Sequence, residues 1–201
     1  MKERIAVFDF DGTITTKDTL LEFIRYAKGT LLFCWGFILF SPLLVAYKMR
    51  LYPNWKVKEQ IFSYFFRGMP VVQFNILCEG FYKNKGKELL REDACTAIQK
   101  HLSQRDAVII VSASIHDWVL PFGKALGVDA VIGTEVAVSS SGYLTGKFLT
   151  HNCYGMEKVE RIKMLYPDYN AYTWIAYGDS AGDRQLLDFA DERYYKIFTS
   201  K

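Results

Sequence analysis

The sequence predicts an α/β fold in which a parallel sheet carries helices on both faces. Residues 5–8 and 107–111 are continuous apolar runs, which are typical of strands buried on both faces of a parallel sheet. After residue 107, further short apolar runs alternate with segments of helical periodicity, as expected for strand–helix–strand units. A long stretch of helical spacing separates the first two strands and predicts a helical insertion into this fold.

The composition fits one medium-sized globular domain. Half of the 201 residues are hydrophobic and 16% are aromatic, which is enough for a packed core and excludes a disordered chain. The net charge of +3 is too small to indicate nucleic-acid binding, so no nucleic-acid partner is expected. Four scattered cysteines without a C-x-x-C pair favour reduced thiols. Residues 1–4 lead straight into the first strand, so we expect no signal peptide and a cytoplasmic protein.

The first half of the chain reads as one strand followed by helices. After the strand at residues 5–8, Asp18 or Thr19 can cap a helix whose apolar residues recur through residues 20–26. Further helices are predicted over residues 55–66, 70–84 and 88–102. Gly68, Gly86 and the lysine-rich run 83–87 mark the turns between them.

This pattern divides the chain into a core and an inserted cap. The cap is expected to comprise residues 18–92, and the α/β core residues 1–17 and 93–201. Within the core, the second strand is followed by a helix at 118–126 and a strand at 130–132. The remaining predicted elements are a hairpin at 136–138 and 143–148, a helix at 155–166, a strand at 172–177, a short helix at 186–187 and a last strand at 194–198.

Residues 29–47 are unusual because no charged residue occurs among them. About 20 apolar residues suffice to cross a bilayer, and this run is near that length. Three interpretations remain open: a buried cap helix bent at Pro42, a segment that lies on or dips into one membrane leaflet, and a full span. A full span would put the two halves of the chain on opposite sides of the membrane unless the chain returned through it.

Polar residues follow three of the predicted strands and begin one helix. In chain order they are Asp9, Asp11, Ser112, Lys158, Asp179 and Asp183. Each has an ordinary explanation when taken alone, such as an Asp-Gly turn, a helix cap or a solvated lysine. Ligands of open α/β sheets bind beyond the carboxyl ends of the strands, so the joint pattern predicts one shared site. The histidines fit no metal or triad spacing and are expected at the surface or at helix ends: His101, His116 and His151.

These residues resemble the four motifs of the haloacid dehalogenase superfamily of phosphohydrolases. Asp9-Phe10-Asp11-Gly12-Thr13 resembles the first motif, Ser112 the second, Lys158 the third, and the run from Gly178 to Asp183 the fourth. The motifs stand in the family's order and cover essentially the whole chain. The insertion between the first two is similar to the helical cap of the phosphoserine-phosphatase-like subfamily IB. The resemblance implies a Rossmann-like core and phosphomonoester hydrolysis.

The resemblance also implies roles in the reaction. Asp9 would attack phosphorus and form an aspartyl-phosphate, while Asp11 would act first as general acid and then as general base. Ser112, Lys158 and Thr13 would bind the phosphoryl oxygens.

A magnesium ion is implied in the same way. The carboxylates of Asp9 and Asp179 and the backbone carbonyl of Asp11 would hold Mg²⁺, which prefers oxygen ligands. Asp183 would orient the surroundings of the metal.

The substrate has two candidates. One candidate is phosphoserine or another soluble phosphomonoester, since Asp18 stands where phosphoserine phosphatases carry an acidic residue that helps bind the substrate. Asp18 is shorter than the glutamate of those enzymes, and Gly182 replaces their usual asparagine, so both departures count against phosphoserine itself. Residues 23–26, the apolar run and residues 154–159 are together similar to the bacterial phosphatidylglycerophosphatase C group. That similarity implies a lipid phosphate such as phosphatidylglycerol phosphate.

A lipid substrate would also predict where the protein is located and what it contacts. Residues 29–47 would contact the membrane, at the cytoplasmic face of the inner membrane, and nearby cations would contact lipid headgroups: Arg25, Lys28, Lys48 and Arg50. A third interpretation is a membrane-associated binding protein that keeps the fold without turnover.

Overall fold

The computed structural model describes residues 3–49 and 51–200. Its strands are β1 Arg4–Phe8, β2 Ala107–Ile115, β3 Ala130–Thr134, β4 Val136–Val138, β5 Leu144–Phe148, β6 Thr173–Gly178 and β7 Glu192–Tyr195. Its helices are α1 Thr19–Lys48, α2 Asn54–Phe66, α3 Val71–Leu89, α4 Glu92–Ser103, α5 His116–Leu126, α6 Met156–Leu165 and α7 Arg184–Phe189. Five strands form a parallel sheet in the order β3-β2-β1-β6-β7, and β4 pairs with β5 in an antiparallel hairpin.

Both faces of the sheet are buried. Successive side chains of a strand point to opposite faces, and in β1 Ala6 and Phe8 join one core while Ile5 and Val7 join another. The first core contains buried residues of α1–α5, and the second contains residues of α6 and α7. This arrangement explains why the central strands are mostly apolar, and it confirms the predicted parallel sheet with helices on both faces.

The helices α1–α3 pack on the core through aromatic side chains. Phe23 of α1 stacks on Trp118 of α5, with 4.7 Å between ring centroids, and meets Phe66, Phe74 and Phe81 at 5.3–5.7 Å. The chain enters and leaves this region side by side, since Thr16 donates to Leu89 O at 2.8 Å and Arg91 to Ile14 O at 2.9 Å. The boundaries proposed for the cap, residues 18 and 92, stay a prediction.

The β4–β5 hairpin lies against the turn between α2 and α3. Gly68 N donates to Leu144 O at 2.8 Å, and Leu144 N donates to Met69 O at 2.9 Å. Glu59 of α2 accepts from Phe148 N at 2.9 Å and forms an ion pair with Lys147 at 3.1 Å. These contacts fix α2 over the edge of the core where the sheet ends.

The uncharged run, residues 29–47, folds as the second part of α1. It does not match the interpretation as a buried helix bent at Pro42. Helical geometry breaks at Gly29, with φ 77° and ψ 163°, and continues through Pro42, so the bend is at the glycine. The uncharged part of the helix is largely exposed, because only 6% of its most apolar stretch of 18 residues is buried, which argues against the buried cap helix. One face does pack on α2, where a Cβ on Gly36 would lie 2.3 Å from the Phe65 ring. By length and composition alone, α1 could cross a membrane.

Several helix and strand limits differ from the sequence prediction. The turn predicted at the lysine-rich run 83–87 is wrong: α3 runs to Leu89, since its lysines lie on the solvent side and Gly86 packs against Tyr82. The last strand ends at Tyr195, not at residue 198. Lys196 has a positive φ of 54°, which ends the strand, and Phe198 packs against Phe8.

His101 lies in the last turn of α4, which agrees with the expected helix end, but it is buried. Its ring nitrogens lie 2.7 Å from Asp106 Oδ2 and 2.8 Å from the Tyr177 hydroxyl. The four cysteines are free, in agreement with the expected reduced thiols.

Candidate active site

The polar residues singled out in the sequence meet beyond the carboxyl end of β1. This is the strand at which the chain order of the sheet reverses, with β2 on one side and β6 on the other. Asp9 N donates to Tyr177 O at 2.9 Å and so continues the pairing with β6 by one residue. The next turn closes on Phe10 O, which accepts from Ile14 N at 2.9 Å and Thr15 N at 3.0 Å. Buried Phe10 fixes this turn between the two aspartates.

Lys158 links Asp9 to Asp183. Its ammonium lies 2.5 Å from Asp9 Oδ1 and 2.6 Å from Asp183 Oδ1, and the lysine is 2% exposed. α6 begins at Met156, two residues before the lysine, after Gly155 with φ 63°. A buried ammonium with two carboxylate partners is not the solvated lysine that the residue type alone would favour.

Asp179 completes a group of three carboxylates. One oxygen each of Asp9, Asp179 and Asp183 lies within 4.8 Å of the others. Thr13 donates from Oγ1 to Asp9 at 3.2 Å and to Asp179 at 3.4 Å. Gly12, with φ 84°, allows this closeness, because a Cβ there would lie 2.4 Å from Asp179 Oδ2.

Asp183 is held by its own loop. Its Oδ2 accepts from Ser180 N at 2.9 Å, Ser180 Oγ at 2.7 Å and Asp179 N at 3.3 Å, while Oδ1 accepts from Lys158. Both oxygens are therefore engaged within the protein. Asp183 is fitted to orient Lys158 and the Asp179 backbone.

The carboxylate of Asp11 points to the other side, toward α1 and β2. Its Oδ1 accepts from Thr19 N at 2.7 Å and Thr19 Oγ1 at 2.6 Å. Its Oδ2 accepts from Ser114 Oγ at 2.5 Å and from Ser112 Oγ at 3.5 Å. Trp118 Nε1 donates to Thr19 Oγ1 at 3.2 Å and supports this arrangement from α5.

Burial and charge shift the acid groups in different directions. Burial raises the pKa of Asp9 to about 7, although the charge of Lys158 opposes the shift. Burial also raises the pKa of Asp179, and the Asp183 charge adds to that shift. Burial acts in the same sense on Asp183, but Lys158 and the Ser180 hydrogen bonds outweigh it and lower the pKa of Asp183.

One cation cannot neutralise this group of carboxylates. Burial acts to lower the pKa of Lys158, but the charges of Asp9 and Asp183 outweigh it and raise that pKa above its ordinary value. Lys158 is therefore charged, and it faces three carboxylates. Closely spaced carboxylate oxygens in excess of positive charge are a suitable site for a hard divalent cation.

The two residues proposed for substrate selectivity lie at the start of α1. Asp18 caps the helix, since its Oδ1 accepts from Leu20 N at 2.9 Å. Burial raises the pKa of Asp18, and the charge of Asp11 adds to the shift. Arg25 Nε lies 3.5 Å from Thr30 Oγ1 in a weak, exposed hydrogen bond. Neither contact identifies a substrate.

Several residues of the site were missed in the sequence: Thr19, Ser114, Trp118 and Ser180. Single hydroxyl and indole groups carry no spacing signal of their own. Only Ser114 carries a weak sequence signal, because Ser112 and Ser114 are two residues apart and so point to the same face of a strand. The strand was predicted to end at Val111, whereas β2 continues to Ile115 with an irregular register after Val111.

Comparisons with known proteins cover nearly the whole chain. The sequence profile of the family described as haloacid dehalogenase-like hydrolase matches residues 6–188. Protein CicA of Caulobacter vibrioides is 33% identical over 198 residues, which are 98% of this chain and 87% of CicA. The inhibition of morphological differentiation protein of Streptomyces azureus is 32% identical over 126 residues, 56% of this chain and 45% of that protein.

Solved structures show the same fold. A Bordetella pertussis Tohama I protein of unknown function has a TM-score of 0.85 at 19% identity, covering 96% of this chain and 89% of its own. A phosphoserine phosphatase, described as a phospho-aspartyl intermediate analogue, has a TM-score of 0.68 at 18% identity, covering 96% and 86%.

Proposed function

Because the chain belongs to the haloacid dehalogenase-like hydrolase family, we propose that it is a phosphatase that uses Asp9 as its nucleophile. The observation that carries the proposal is the meeting of Asp9, Lys158 and Asp179 at the end of β1. In a reaction in which an anion attacks an anionic phosphate, one carboxylate can serve as the nucleophile. The ammonium, and a cation held by the further carboxylates, can offset the negative charge.

The reaction proceeds in two steps. Asp9 attacks phosphorus, and the bond from phosphorus to the leaving alcohol breaks while Asp11 gives that oxygen its proton. Water then attacks the phosphorus of the aspartyl-phosphate and Asp11 takes its proton, which frees phosphate and restores Asp9. Thr19 and Ser114 hold the Asp11 carboxylate for both transfers.

The site residues also serve the phosphoryl group. Lys158 offsets the charge of its oxygens, Ser112 and Thr13 offer hydroxyl groups to them, and Asp183 keeps Lys158 in place.

The donor set fits Mg²⁺, with Asp9, the Asp11 carbonyl and Asp179 as its ligands. When bound, the ion would supply positive charge against the phosphate and the attacking carboxylate. Asp183 is given a supporting role instead of a ligand role, because its Oδ2 accepts three hydrogen bonds from its own loop and its Oδ1 accepts one from Lys158.

Phosphate release measured with excess Mg²⁺ and with EDTA tests this function. We expect release from small phosphomonoesters with Mg²⁺ and at least a hundredfold less with EDTA. Protein quenched during turnover should carry phosphate on Asp9 that hydroxylamine removes, as expected for an acyl phosphate. Turnover without such labelled protein would contradict the covalent route, and no release from any phosphomonoester would favour the non-catalytic binding protein.

We further propose that the substrate is a lipid phosphate of the phosphatidylglycerol phosphate type, presented at the cytoplasmic face of the inner membrane. The support is the outward face of α1, where Leu31 is 81% exposed, Trp35 68% and Ile38 63%. These residues recur at helical spacing and make one continuous stripe. Exposed apolar stripes of this kind mark contact with a membrane or another protein.

Charge favours the membrane over a protein partner. Lys28 precedes the stripe and Lys48 follows it, so the stripe is apolar in its middle and cationic at its ends, as in helices that lie in the headgroup layer of anionic lipid. Lys28 lies 5.0 Å from the Phe66 ring centroid, which leaves Lys48 as the freer headgroup contact. Arg50, the other cation named for this role, lies outside the described residues.

Liposome co-sedimentation tests the membrane contact. We expect the wild-type chain to bind vesicles that contain phosphatidylglycerol and to bind neutral vesicles at least tenfold less. A Trp35→Glu, Ile38→Glu variant should lose binding, since each charge must leave water to enter the interface. The control carries the same change at two exposed apolar residues of α3, Val72→Glu and Ile76→Glu, and should bind as the wild type does.

The alternative substrate is a soluble phosphomonoester such as phosphoserine. Failure of the wild-type chain to bind anionic vesicles, together with turnover of phosphoserine, would favour it.

A further inference from the structure

The loop between β5 and α6 is fastened to the core at two points. Cys153 N donates to Thr134 Oγ1 at 3.0 Å, and Thr134 is the last residue of β3, at one edge of the sheet. Two residues later, Gly155 N donates to Gly182 O at 3.0 Å. Gly182 belongs to the loop between β6 and α7, so the chain that leads into α6 is tied to a second loop of the active site.

Between these two points, the ring of Tyr154 lies on Gly182. A Cβ on Gly182 would lie 2.3 Å from Cε2, 2.8 Å from Cδ2 and 3.0 Å from Cζ of Tyr154, and these ring carbons are the nearest atoms that it would meet. Gly182 is not among the glycines with positive φ. The absent side chain therefore serves the close approach of the ring and not an unusual backbone conformation.

Both partners of the buried ion pair between Lys158 and Asp183 lie close to this contact along the chain. Lys158 comes four residues after Tyr154, in the first turn of α6. Asp183 follows Gly182 directly, and its Oδ1 accepts from the Lys158 ammonium at 2.6 Å. The same ammonium contacts the carboxylate of Asp9. A shift of the Tyr154 ring against Gly182 would therefore change where the ammonium stands relative to the nucleophile.

We propose that Tyr154 is a positioning residue of the active site, an inference that rests on the proposed phosphatase function. Its ring fixes the start of α6 against the loop between β6 and α7, and so holds Lys158 and Asp183 in register with Asp9. Lys158 serves the phosphoryl group, which every phosphomonoester shares. The contribution of Tyr154 is therefore independent of the alcohol that leaves.

This independence separates positioning from a contact with the substrate. Tyr154 also lines a cleft of about 540 Å³ that extends to Trp55 of α2, so its ring could instead touch a leaving group in that cleft. Across residues 3–49 and 51–200, the Tyr154 hydroxyl forms no hydrogen bond, which leaves the ring as the part of the side chain that acts on Gly182.

Kinetics of a Tyr154→Ala variant with saturating Mg²⁺ test the proposal. We expect kcat/KM to fall about ten- to hundredfold, since a displacement of about 1 Å caused by a change away from the chemistry can cost a hundredfold. The fall should agree within about threefold for every substrate that the wild-type chain hydrolyses among phosphatidylglycerol phosphate in detergent micelles, phosphoserine and phenyl phosphate.

Two further variants accompany this one. Tyr154→Phe keeps the ring and should stay within about threefold of the wild type. Tyr143→Ala is the matched control, because Tyr143 is 47% exposed against 45% for Tyr154 and lies directly before β5, away from the ion pair. It should also stay within about threefold. The unfolding temperature of Tyr154→Ala should lie close to that of the wild type, since its side chain is half exposed.

A double-mutant cycle with Gly182→Ala shows whether the contact itself carries the effect. Alone, the added methyl group must displace the Tyr154 ring, and kcat/KM should fall about tenfold or more. In the Tyr154→Ala background the methyl group has room, because the atoms that it would meet are gone. Gly182→Ala should therefore cost less than about twofold there.

The result that overturns the positioning role differs from the one that overturns the function. The role is wrong if the wild-type chain releases phosphate and Tyr154→Ala matches it, if lost folding accounts for the lost turnover, or if Gly182→Ala costs the same in both backgrounds. A loss shared by Tyr154→Phe, or confined to one substrate, would make Tyr154 a substrate contact instead. If the wild-type chain releases phosphate from none of the three substrates, the proposed function fails and the role fails with it.

Discussion

Replacement of Asp9 by asparagine should lower phosphate release by at least about 10⁴-fold, the scale at which loss of a nucleophile acts. The amide has nearly the same shape as the carboxylate but cannot attack phosphorus. Asp9 Oδ1 lies 2.5 Å from the Lys158 ammonium, and an amide oxygen can accept the same bond. Loss of activity should therefore come without loss of the fold.

Stability measurements sharpen this expectation. Burial raises the pKa of Asp9 to about 7, so the metal-free protein holds an ionised Asp9 only at a cost. A neutral asparagine avoids that cost, and its unfolding temperature in EDTA at pH 8 should equal or exceed that of the wild type. The raised pKa gives the sign: the unfolded carboxyl ionises first, so Asp9 destabilises the fold increasingly as pH rises toward 7.

Asp106→Asn is the matched control. It makes the same change at a buried aspartate directly before β2, at the opposite end of the parallel sheet from Asp9. Its turnover should stay within about threefold of the wild type. Turnover by Asp9→Asn at a rate close to the wild type would rule out Asp9 as nucleophile.

Sequence patterns were sufficient for the charged part of the site. Asp9, Asp179 and Lys158 follow buried strands or begin a helix in a parallel sheet, and such positions must meet at one edge. Backbone pairing fixes Asp9 and Asp179 at the ends of β1 and β6, and Lys158 reaches them from the first turn of α6. The prediction therefore needed only the order of the elements.

The hydroxyl groups around Asp11 could not be predicted in this way. Thr19 reaches Asp11 because the cap helix begins beside β1, and Ser114 reaches it because β2 continues past an irregular register. Both depend on how separate elements pack, and no local pattern encodes that. The burial of His101 could not be predicted for the same reason, since its partners, Asp106 directly before β2 and Tyr177 in β6, belong to separate elements.

The sequence left three interpretations of the apolar run open, because hydrophobicity does not state which surface covers a helix. Gly36 and Phe65 bring one face of α1 onto α2, while Leu31 and Trp35 stay exposed. The bend followed backbone freedom at Gly29 rather than the proline, which a long helix tolerates when its neighbours compensate.

Replacement of Lys158 by methionine should destabilise the metal-free protein by about 3–5 kcal/mol, the cost of leaving buried charges without their partner. The loss should appear in urea unfolding at pH 8 in EDTA. Turnover should also fall by about 10²–10³-fold, since one charge contact to the phosphoryl group is missing. The control on the same helix is Lys163→Met, whose ion pair with Glu160 at 3.9 Å and contact with the Tyr169 ring at 5.1 Å should together matter by less than about 1 kcal/mol.

The dependence of this stability loss on pH and on Mg²⁺ distinguishes a lost charge from a simple packing defect. Without Lys158, the carboxyl groups of Asp9 and Asp183 take up protons at higher pH, so the deficit should shrink as pH falls from 8 to 5. Mg²⁺ should stabilise the variant more than the wild type, because the ion then supplies the only positive charge among the three carboxylates of Asp9, Asp179 and Asp183. If the loss of unfolding free energy in Lys158→Met changes with neither pH nor Mg²⁺, Lys158 acts through packing alone, and the charge balance argued for this site is wrong.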